Sequence, residues 1–188
     1  MRRFSVDEYH QMIRAAILTE DDAVELLEGW IVPKMPRNPL HDATVQRIDE
    51  LLTPQLPSGW SRRIQSAITL ADSEPEPDFA VVKGMSATFV DHHPGPGEIG
   101  IVIEVSESTL ANDQSEKLRT YARAGLPEYW IVNLVDRQIE VYSAPTGPSG
   151  LPEYRRIDRY RPGASVPVAI GTASFALCVD DIVSIRPL

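Results

Sequence analysis

The sequence of 188 residues lacks the residues on which several common classes of site depend. Its single cysteine, Cys178, excludes both a disulfide framework within the chain and a thiolate cluster for zinc. The apolar neighbours of Cys178 predict a packed core thiol instead. No Walker loop, dinucleotide-binding glycine pattern or nucleophile elbow is present, so nothing in the sequence points to nucleotide-cofactor or serine-hydrolase chemistry.

Long apolar stretches are also missing. No run reaches the roughly 18 apolar residues that a membrane-spanning helix needs. The start of the chain, MRRFSVDEYH, has no apolar stretch of signal-peptide length after its two arginines. Because 43% of the residues are hydrophobic and 24% are charged, as is ordinary for globular proteins, we expect one cytoplasmic domain over residues 1–188, without a membrane.

Positive charge is in short supply. The formal net charge of −9 argues against a general nucleic-acid coat protein, which would be basic. The deficit is concentrated in residues 64–116, which hold one basic and ten acidic residues. Either these carboxylates form a solvated acidic face, or some of them hold a cation.

What the chain does contain is an alternation of strand-like and helix-like segments. Predicted helices cover the stretch from the Ser5–Glu8 capping box to about Ile17, residues 41–56, and residues from Asn112 or Asp113 to Ala124. Predicted strands cover residues 24–32, 63–70, 78–82, 99–106, 128–134 and 137–143. Since several strands are apolar on both faces, we predict an α/β fold: a three-layer α/β/α core with a central mixed sheet.

Two acids at the ends of predicted strands are candidate functional residues. Glu104 lies in the apolar run IGIVIEVS, where a carboxylate pays a desolvation cost unless something pairs with it. Asp78 follows a proline and opens the apolar run DFAVV. Each has a structural explanation: Glu104 could be a solvated strand-end acid or part of a buried ion pair, and Asp78 a loop-to-strand cap. If the strands are neighbours, the two acids and the backbone carbonyl of Val105 could bind Mg²⁺.

Lys117 follows Glu104 by one short connection. It is one of three lysines, against fifteen arginines, and shares a helix face with Asp113 and Tyr121 at i, i+4 and i+8 spacing. A surface lysine paired with Asp113 is the structural alternative, an arrangement worth about 0.3–0.5 kcal/mol.

Two further groups of polar residues are better explained as structural than as parts of a metal-binding or phosphate-binding site. His92 and His93 are adjacent in a glycine- and proline-rich loop, where both seldom bind one ion. A cluster of arginines predicts a solvated strand face rather than a phosphate contact: Arg155, Arg156, Arg159 and Arg161. Tyr129 and Trp130 are expected in the core.

Taken in order, these segments resemble a known family. The elements that carry the resemblance are VELLEGWIV, His41, Pro77-Asp78, Ile103-Glu104-Val105-Ser106 and KLRTYARAGLPEYWIVN, which begins at Lys117. This order is similar to the Uma-type family of bacterial restriction-endonuclease-like proteins, within the PD-(D/E)XK nuclease superfamily. The similarity extends from about Phe4 to the C-terminus.

The resemblance implies roles for particular residues. Asp78 and Glu104 would be the metal-binding acids. The superfamily's usual lysine position holds Ser106, so Lys117 on the following helix would replace that lysine. Glu25 would be a supporting acid, with Glu28 as a competing candidate.

The function that the resemblance implies is a DNA endonuclease dependent on Mg²⁺, or on Mn²⁺, in which Lys117 assists an attacking water. A homodimer is expected, because cutting both strands of DNA usually needs two sites. The alternatives are a catalytically silent DNA-binding or assembly module that keeps the fold, and a structural domain with a buried ion pair between Asp78 and Lys117.

Overall fold

Runs of β-branched and aliphatic residues form the strands of a six-stranded sheet in the computed structural model, which describes residues 2–19 and 21–184. The helices are α1 (Val6–Arg14), α2 (Pro39–Leu52), α3 (Leu110–Asn112), α4 (Leu118–Ala124) and α5 (Val179–Val183), and a π-helical turn (Asp113–Lys117) joins α3 to α4. The strands are β1 (Val24–Leu27), β2 (Trp30–Pro33), β3 (Trp60–Ile64), β4 (Phe79–Lys83), β5 (Ile99–Ser106), β6 (Glu128–Asn133), β7 (Gln138–Pro145), β8 (Tyr154–Tyr160), β9 (Ser165–Ile170) and β10 (Ala173–Cys178).

The central sheet has the strand order β3-β4-β5-β6-β7-β8. Its neighbouring strands are antiparallel except for β5 and β6, which run parallel. A parallel pair needs a crossover connection, and here the helical segment from α3 to α4 supplies it. This crossover starts directly beyond the carboxyl end of β5, so its first turns lie beside the residues that end that strand.

Both faces of the sheet are covered. On one face, β4 to β7 pack against α2, α5 and the β9–β10 hairpin, through residues such as Ile48, Ile103 and Ile182. On the other face, residues such as Val102 and Ile131 pack against α4. The predicted three-layer α/β/α fold with a central mixed sheet is therefore confirmed, while the prediction of a single domain over residues 1–188 stays a prediction.

One predicted strand is in fact a hairpin. Residues 24–32 form two antiparallel strands, β1 and β2, joined by a turn at Glu28 and Gly29. Both turn residues have positive φ, 49° for Glu28 and 79° for Gly29, as the tightest hairpin turns require. The chain therefore reverses within the stretch that the sequence predicts as one strand.

Other boundaries moved for similar reasons. The strand predicted at 63–70 is displaced to β3, and Gln65, with φ of 47°, follows its last residue. The capping box of Ser5 and Glu8 is present, but α1 ends at Arg14, and Ala16 already has φ of 54°. The predicted helix ending at Ala124 begins slightly earlier, at Leu110.

No helix within residues 2–19 and 21–184 is long and apolar enough to span a lipid bilayer.

The β1–β2 turn yields a test of packing. A Cβ at Gly29 would lie 2.7 Å from Arg3 Cβ and 3.0 Å from the carbonyl oxygen of Phe4. Gly29→Ala should therefore lower the free energy of unfolding by about 2–5 kcal/mol, from left-handed strain of about 1–2 and overpacking of about 1–3. Urea unfolding measures this loss.

Gly147→Ala is the matched control. Gly147 has a similar φ of 70°, but a Cβ there would meet nothing within 4 Å. Only the strain of about 1–2 kcal/mol is expected. Equal losses of unfolding free energy in the two variants would show that steric crowding at Gly29 does not contribute.

Candidate active site

Asp78 directly precedes β4, and Glu104 lies on the neighbouring strand β5. Phe79 of β4 pairs with Ile103 of β5 in antiparallel register, which places the preceding Asp78 across from the following Glu104. Directly opposed residues in such a pair have Cβ atoms about 4.5–5.5 Å apart. The backbone N–H of Val105 also donates to Asp78 Oδ2 at 2.9 Å. The two acids therefore meet at one end of the sheet, on the face that α4 covers.

Glu104 is almost completely buried, with 3% of its surface exposed. Two donors meet one of its oxygens: Lys117 Nζ lies 2.9 Å from Oε1, and the hydroxyl of Tyr121 donates to Oε1 at 2.7 Å. A buried carboxylate needs such donors because it has lost its water. The solvated strand-end explanation of Glu104 is therefore wrong.

Lys117 reaches Glu104 from the π-helical turn. Its ammonium also lies 3.9 Å from Glu25 Oε1 and 4.0 Å from Asp113 Oδ1, and only 12% of its side chain is exposed. The predicted common face of Asp113, Lys117 and Tyr121 is thus confirmed, but it points inward rather than to solvent. π-Helical turns are rare and are found frequently at functional sites.

The electrostatics of this cluster are unbalanced. Burial raises the pKa of the Glu104 carboxyl well above its usual range, although the charge of Lys117 opposes this. Burial alone would lower the pKa of Lys117, but the carboxylates of Glu104, Glu25 and Asp113 outweigh it and raise this pKa. One ammonium thus faces three carboxylates, with Asp78 as a fourth nearby, so added positive charge would stabilise the cluster.

His41, at the start of α2, completes the surroundings of Asp78. Its Nε2 lies 3.0 Å from Asp78 Oδ2, and because a carboxylate only accepts, the imidazole N–H donates. Burial would lower the pKa of His41, but its hydrogen bonds with Asp78 and Asp42 outweigh burial and raise that pKa. Asn38 caps the helix by accepting the backbone N–H of His41.

The structure separates the two candidates for a supporting acid. Glu25 lines the same cleft as Asp78 and Glu104, and its Oε2 accepts the backbone N–H of Glu76. Glu28 lies in the β1–β2 turn and pairs with Arg119, through two hydrogen bonds, and with Arg123. Glu28 is therefore held in a structural ion-pair network, and Glu25 is the acid that lies beside Lys117.

Each of the two opposed acids keeps one oxygen without a donor. In the described part of the chain, no protein donor meets Asp78 Oδ1 or Glu104 Oε2, since the hydrogen bonds go to the other oxygen of each. Glu140, a fully buried glutamate on the same face of the sheet, differs. Its two oxygens accept from Gln114, Asn133, Gln138 and Tyr142.

These oxygens fit a hard divalent cation. They belong to residues that line a cleft of about 420 Å³, as Val105 and Lys117 also do. Among residues 2–19 and 21–184, no three His, Cys, Asp or Glu side chains are grouped so that they could hold a metal ion by themselves. A cation here would need two carboxylate oxygens, a main-chain carbonyl and water, which matches the habit of Mg²⁺ of keeping several waters.

Sequence reasoning missed two contacts of this site. Tyr121 was placed on the face of Lys117, but its hydrogen bond to Glu104 was not foreseen, and His41 was noted only as a family feature. The helical spacing of Tyr121 was the available signal. As expected, the four arginines of residues 155–161 are exposed, and Tyr129 and Trp130 are buried. The prediction of a core thiol is wrong, because Cys178 is only partly buried.

Comparisons with known proteins show the family and the fold of the chain. Residues 6–177 match the model of a family named Uma2, which is described as "Putative restriction endonuclease". A solved structure described as a "putative nuclease belonging to DUF820", from Anabaena variabilis ATCC 29413, superposes with a TM-score of 0.63 at 20% identity, covering 96% of this chain and 98% of that chain. At that identity, the likeness shows a common fold. No curated protein matches the chain.

The ion pair between Lys117 and Glu104 can be tested by a double-mutant cycle. Lys117→Met leaves a buried carboxylate without its cation and should cost about 3–5 kcal/mol of unfolding free energy. Adding Glu104→Gln should recover part of that loss, so the two effects should be strongly non-additive. Denaturant unfolding in EDTA measures all three variants.

A partly exposed ion pair serves as the control cycle. Lys34 Nζ lies 2.7 Å from Glu76 Oε1 at the same cleft, and Lys34→Met with Glu76→Gln should show coupling below about 1 kcal/mol. Additivity within about 0.5 kcal/mol in the Lys117–Glu104 cycle would rule out the pairing.

Proposed function

We propose that this chain, which belongs to the Uma2 family of restriction-endonuclease-like proteins, hydrolyses DNA phosphodiester bonds with a divalent metal ion at Asp78 and Glu104. The observation that carries the proposal is the pair of carboxylate oxygens without a donor, Asp78 Oδ1 and Glu104 Oε2. Both residues line one cleft together with the buried Lys117, and carboxylates beside a cationic side chain are the groups that metal-assisted phosphodiester hydrolysis uses.

Mg²⁺ is the proposed ion, with Mn²⁺ as an expected substitute. Asp78, Glu104 and the backbone carbonyl of Val105 would hold it, and water would complete its shell. When bound, such an ion lowers the pKa of a coordinated water and polarises a phosphate oxygen. Glu25, 3.9 Å from Lys117 Nζ, is the proposed supporting acid.

Lys117 supplies the fixed positive charge of the proposed mechanism. Its ammonium lies 2.9 Å from Glu104 Oε1, and an ammonium group only donates hydrogen bonds. Held by Glu104, it can orient the attacking water and offset the charge that develops on the phosphate oxygens. The water oxygen bonds to phosphorus and its proton passes to solvent, while the bond from phosphorus to the leaving oxygen breaks and that oxygen takes up a proton from solvent. No covalent enzyme intermediate forms.

The rim of the cleft offers a cation for a polyanionic substrate. Lys117 and Lys34, which both line the cleft, are paired with carboxylates. Arg37 lines the same cleft, is exposed, and meets no carboxylate within the described residues. Arginine is well suited to phosphate oxygens because its donors form a planar fork. We therefore assign to Arg37 a contact with the DNA backbone next to the cut.

The decisive experiment is plasmid nicking with Mg²⁺ or Mn²⁺. Wild-type protein should convert supercoiled DNA to nicked product, and to linear product if two sites act together in the proposed homodimer. Glu104→Gln should lower the rate by at least about 100-fold, more than the loss of an outer partner of a metal ligand usually costs.

Glu140→Gln is the matched control for that variant. Glu140 is equally buried on the same face of the sheet but lies outside the cleft, so its variant should keep nuclease activity once thermal unfolding shows that it is folded. Wild-type protein that binds DNA yet cuts none, with either metal, would favour a catalytically silent DNA-binding module.

The role of Arg37 is tested by the salt dependence of DNA binding. In the Glu104→Gln background, where DNA stays intact, Arg37→Ala should weaken duplex binding and reduce the slope of log affinity against log salt by about 1. Fluorescence anisotropy at several salt concentrations measures the slope. Arg155→Ala, at an exposed arginine of β8 outside the cleft, should leave it unchanged; an unaltered slope for Arg37→Ala would remove Arg37 from the interface.

A further inference from the structure

The hydrogen bonds of Asp78 are asymmetric. Its Oδ2 accepts from the backbone N–H of Val105 at 2.9 Å and from His41 Nε2 at 3.0 Å. Its Oδ1 meets no donor in the part of the chain that the structure describes. The carboxylate of an aspartate can rotate about its Cβ–Cγ bond, and a single hydrogen bond from Val105 restrains that rotation only partly. The second hydrogen bond, from His41, fixes the orientation of the carboxylate plane.

His41 is itself held firmly enough to act as such a donor. Only 12% of its side chain is exposed, and it lies in the first turn of α2, whose N-cap is Asn38. That helix is anchored in the core through Ile48 and Leu52. The other imidazole nitrogen, Nδ1, lies 3.3 Å from Asp42 Oδ1, so both edges of the ring face acceptors.

We propose that His41 is a positioning residue for the metal site: by donating from Nε2 to Asp78 Oδ2, it turns Oδ1 toward the cleft as the oxygen that binds the cation. This inference rests on the proposed function, since it presumes a cation at Asp78 and Glu104. His41 touches neither the substrate nor the cation, and it acts only through Asp78. Its loss therefore lowers metal affinity directly and changes the reaction rate only through that loss of affinity.

A purely structural role is the competing explanation. The bond from His41 to Asp78 also ties α2 to the end of β4, so losing it could lower stability without any effect on a cation. Stability and metal affinity separate these explanations. Outer partners of metal ligands typically change metal affinity by about 10–100-fold when they are mutated.

Two substitutions probe the two ring nitrogens separately. The amide of glutamine can take the place of Nε2, whereas the shorter asparagine amide takes the place of Nδ1 and does not extend to Asp78. His41→Gln should bind Mn²⁺ within about threefold of wild type. His41→Asn should bind it about 10–100-fold more weakly.

Isothermal titration of the folded variants with Mn²⁺, at one pH and without DNA, measures these affinities, and thermal unfolding without metal reports stability. Wild-type affinity in His41→Asn, or equal loss in both variants, would overturn the inference even if their stabilities differ. Failure of wild-type protein to bind Mn²⁺ would overturn the proposed metal site and this inference with it. The two failures are distinguishable, because the second appears without any mutation.

Discussion

The need to stabilise one buried carboxylate in the central sheet is the constraint on which the surrounding structure depends. Glu104 lies on a strand that is packed on both faces, and its charge is tolerable there only because Lys117 and Tyr121 reach it from the crossover helix. Two features make this contact possible. The parallel pairing of β5 with β6 requires a crossover that returns over the end of β5, and the π-helical turn in that crossover carries Lys117.

Comparison of two glutamates shows why burial alone does not mark a site. Glu104 pairs across the sheet with Ile131, and Ile131 pairs in turn with Glu140, so both acids lie in one row on one face. Burial would raise the pKa of Glu140, but its hydrogen bonds with neutral side chains outweigh burial and lower that pKa. Glu140 is satisfied at both oxygens, whereas Oε2 of Glu104 meets no donor within residues 2–19 and 21–184.

The sequence predicted the features that depend on local hydrophobic pattern, namely the strands and the acids at their ends. Apolar runs located β4 to β7, and two acids at strand ends located the cleft. It could not decide between Glu25 and Glu28, because that choice depends on the left-handed turn that makes residues 24–32 a hairpin. Nor could it predict that His41 meets Asp78, 37 positions away, since this contact is set by how α2 docks on the sheet.

The proposed site draws on all three layers of the fold. The middle layer contributes Asp78, directly before β4, and Glu104 on β5. On one side α2 contributes His41, and on the other side the π-helical turn contributes Lys117. A partly folded copy that lacks either outer layer has the acids without their partners. The proposed site is then a property of the finished tertiary structure: nascent chains still on the ribosome, and damaged copies awaiting degradation, do not hold it complete.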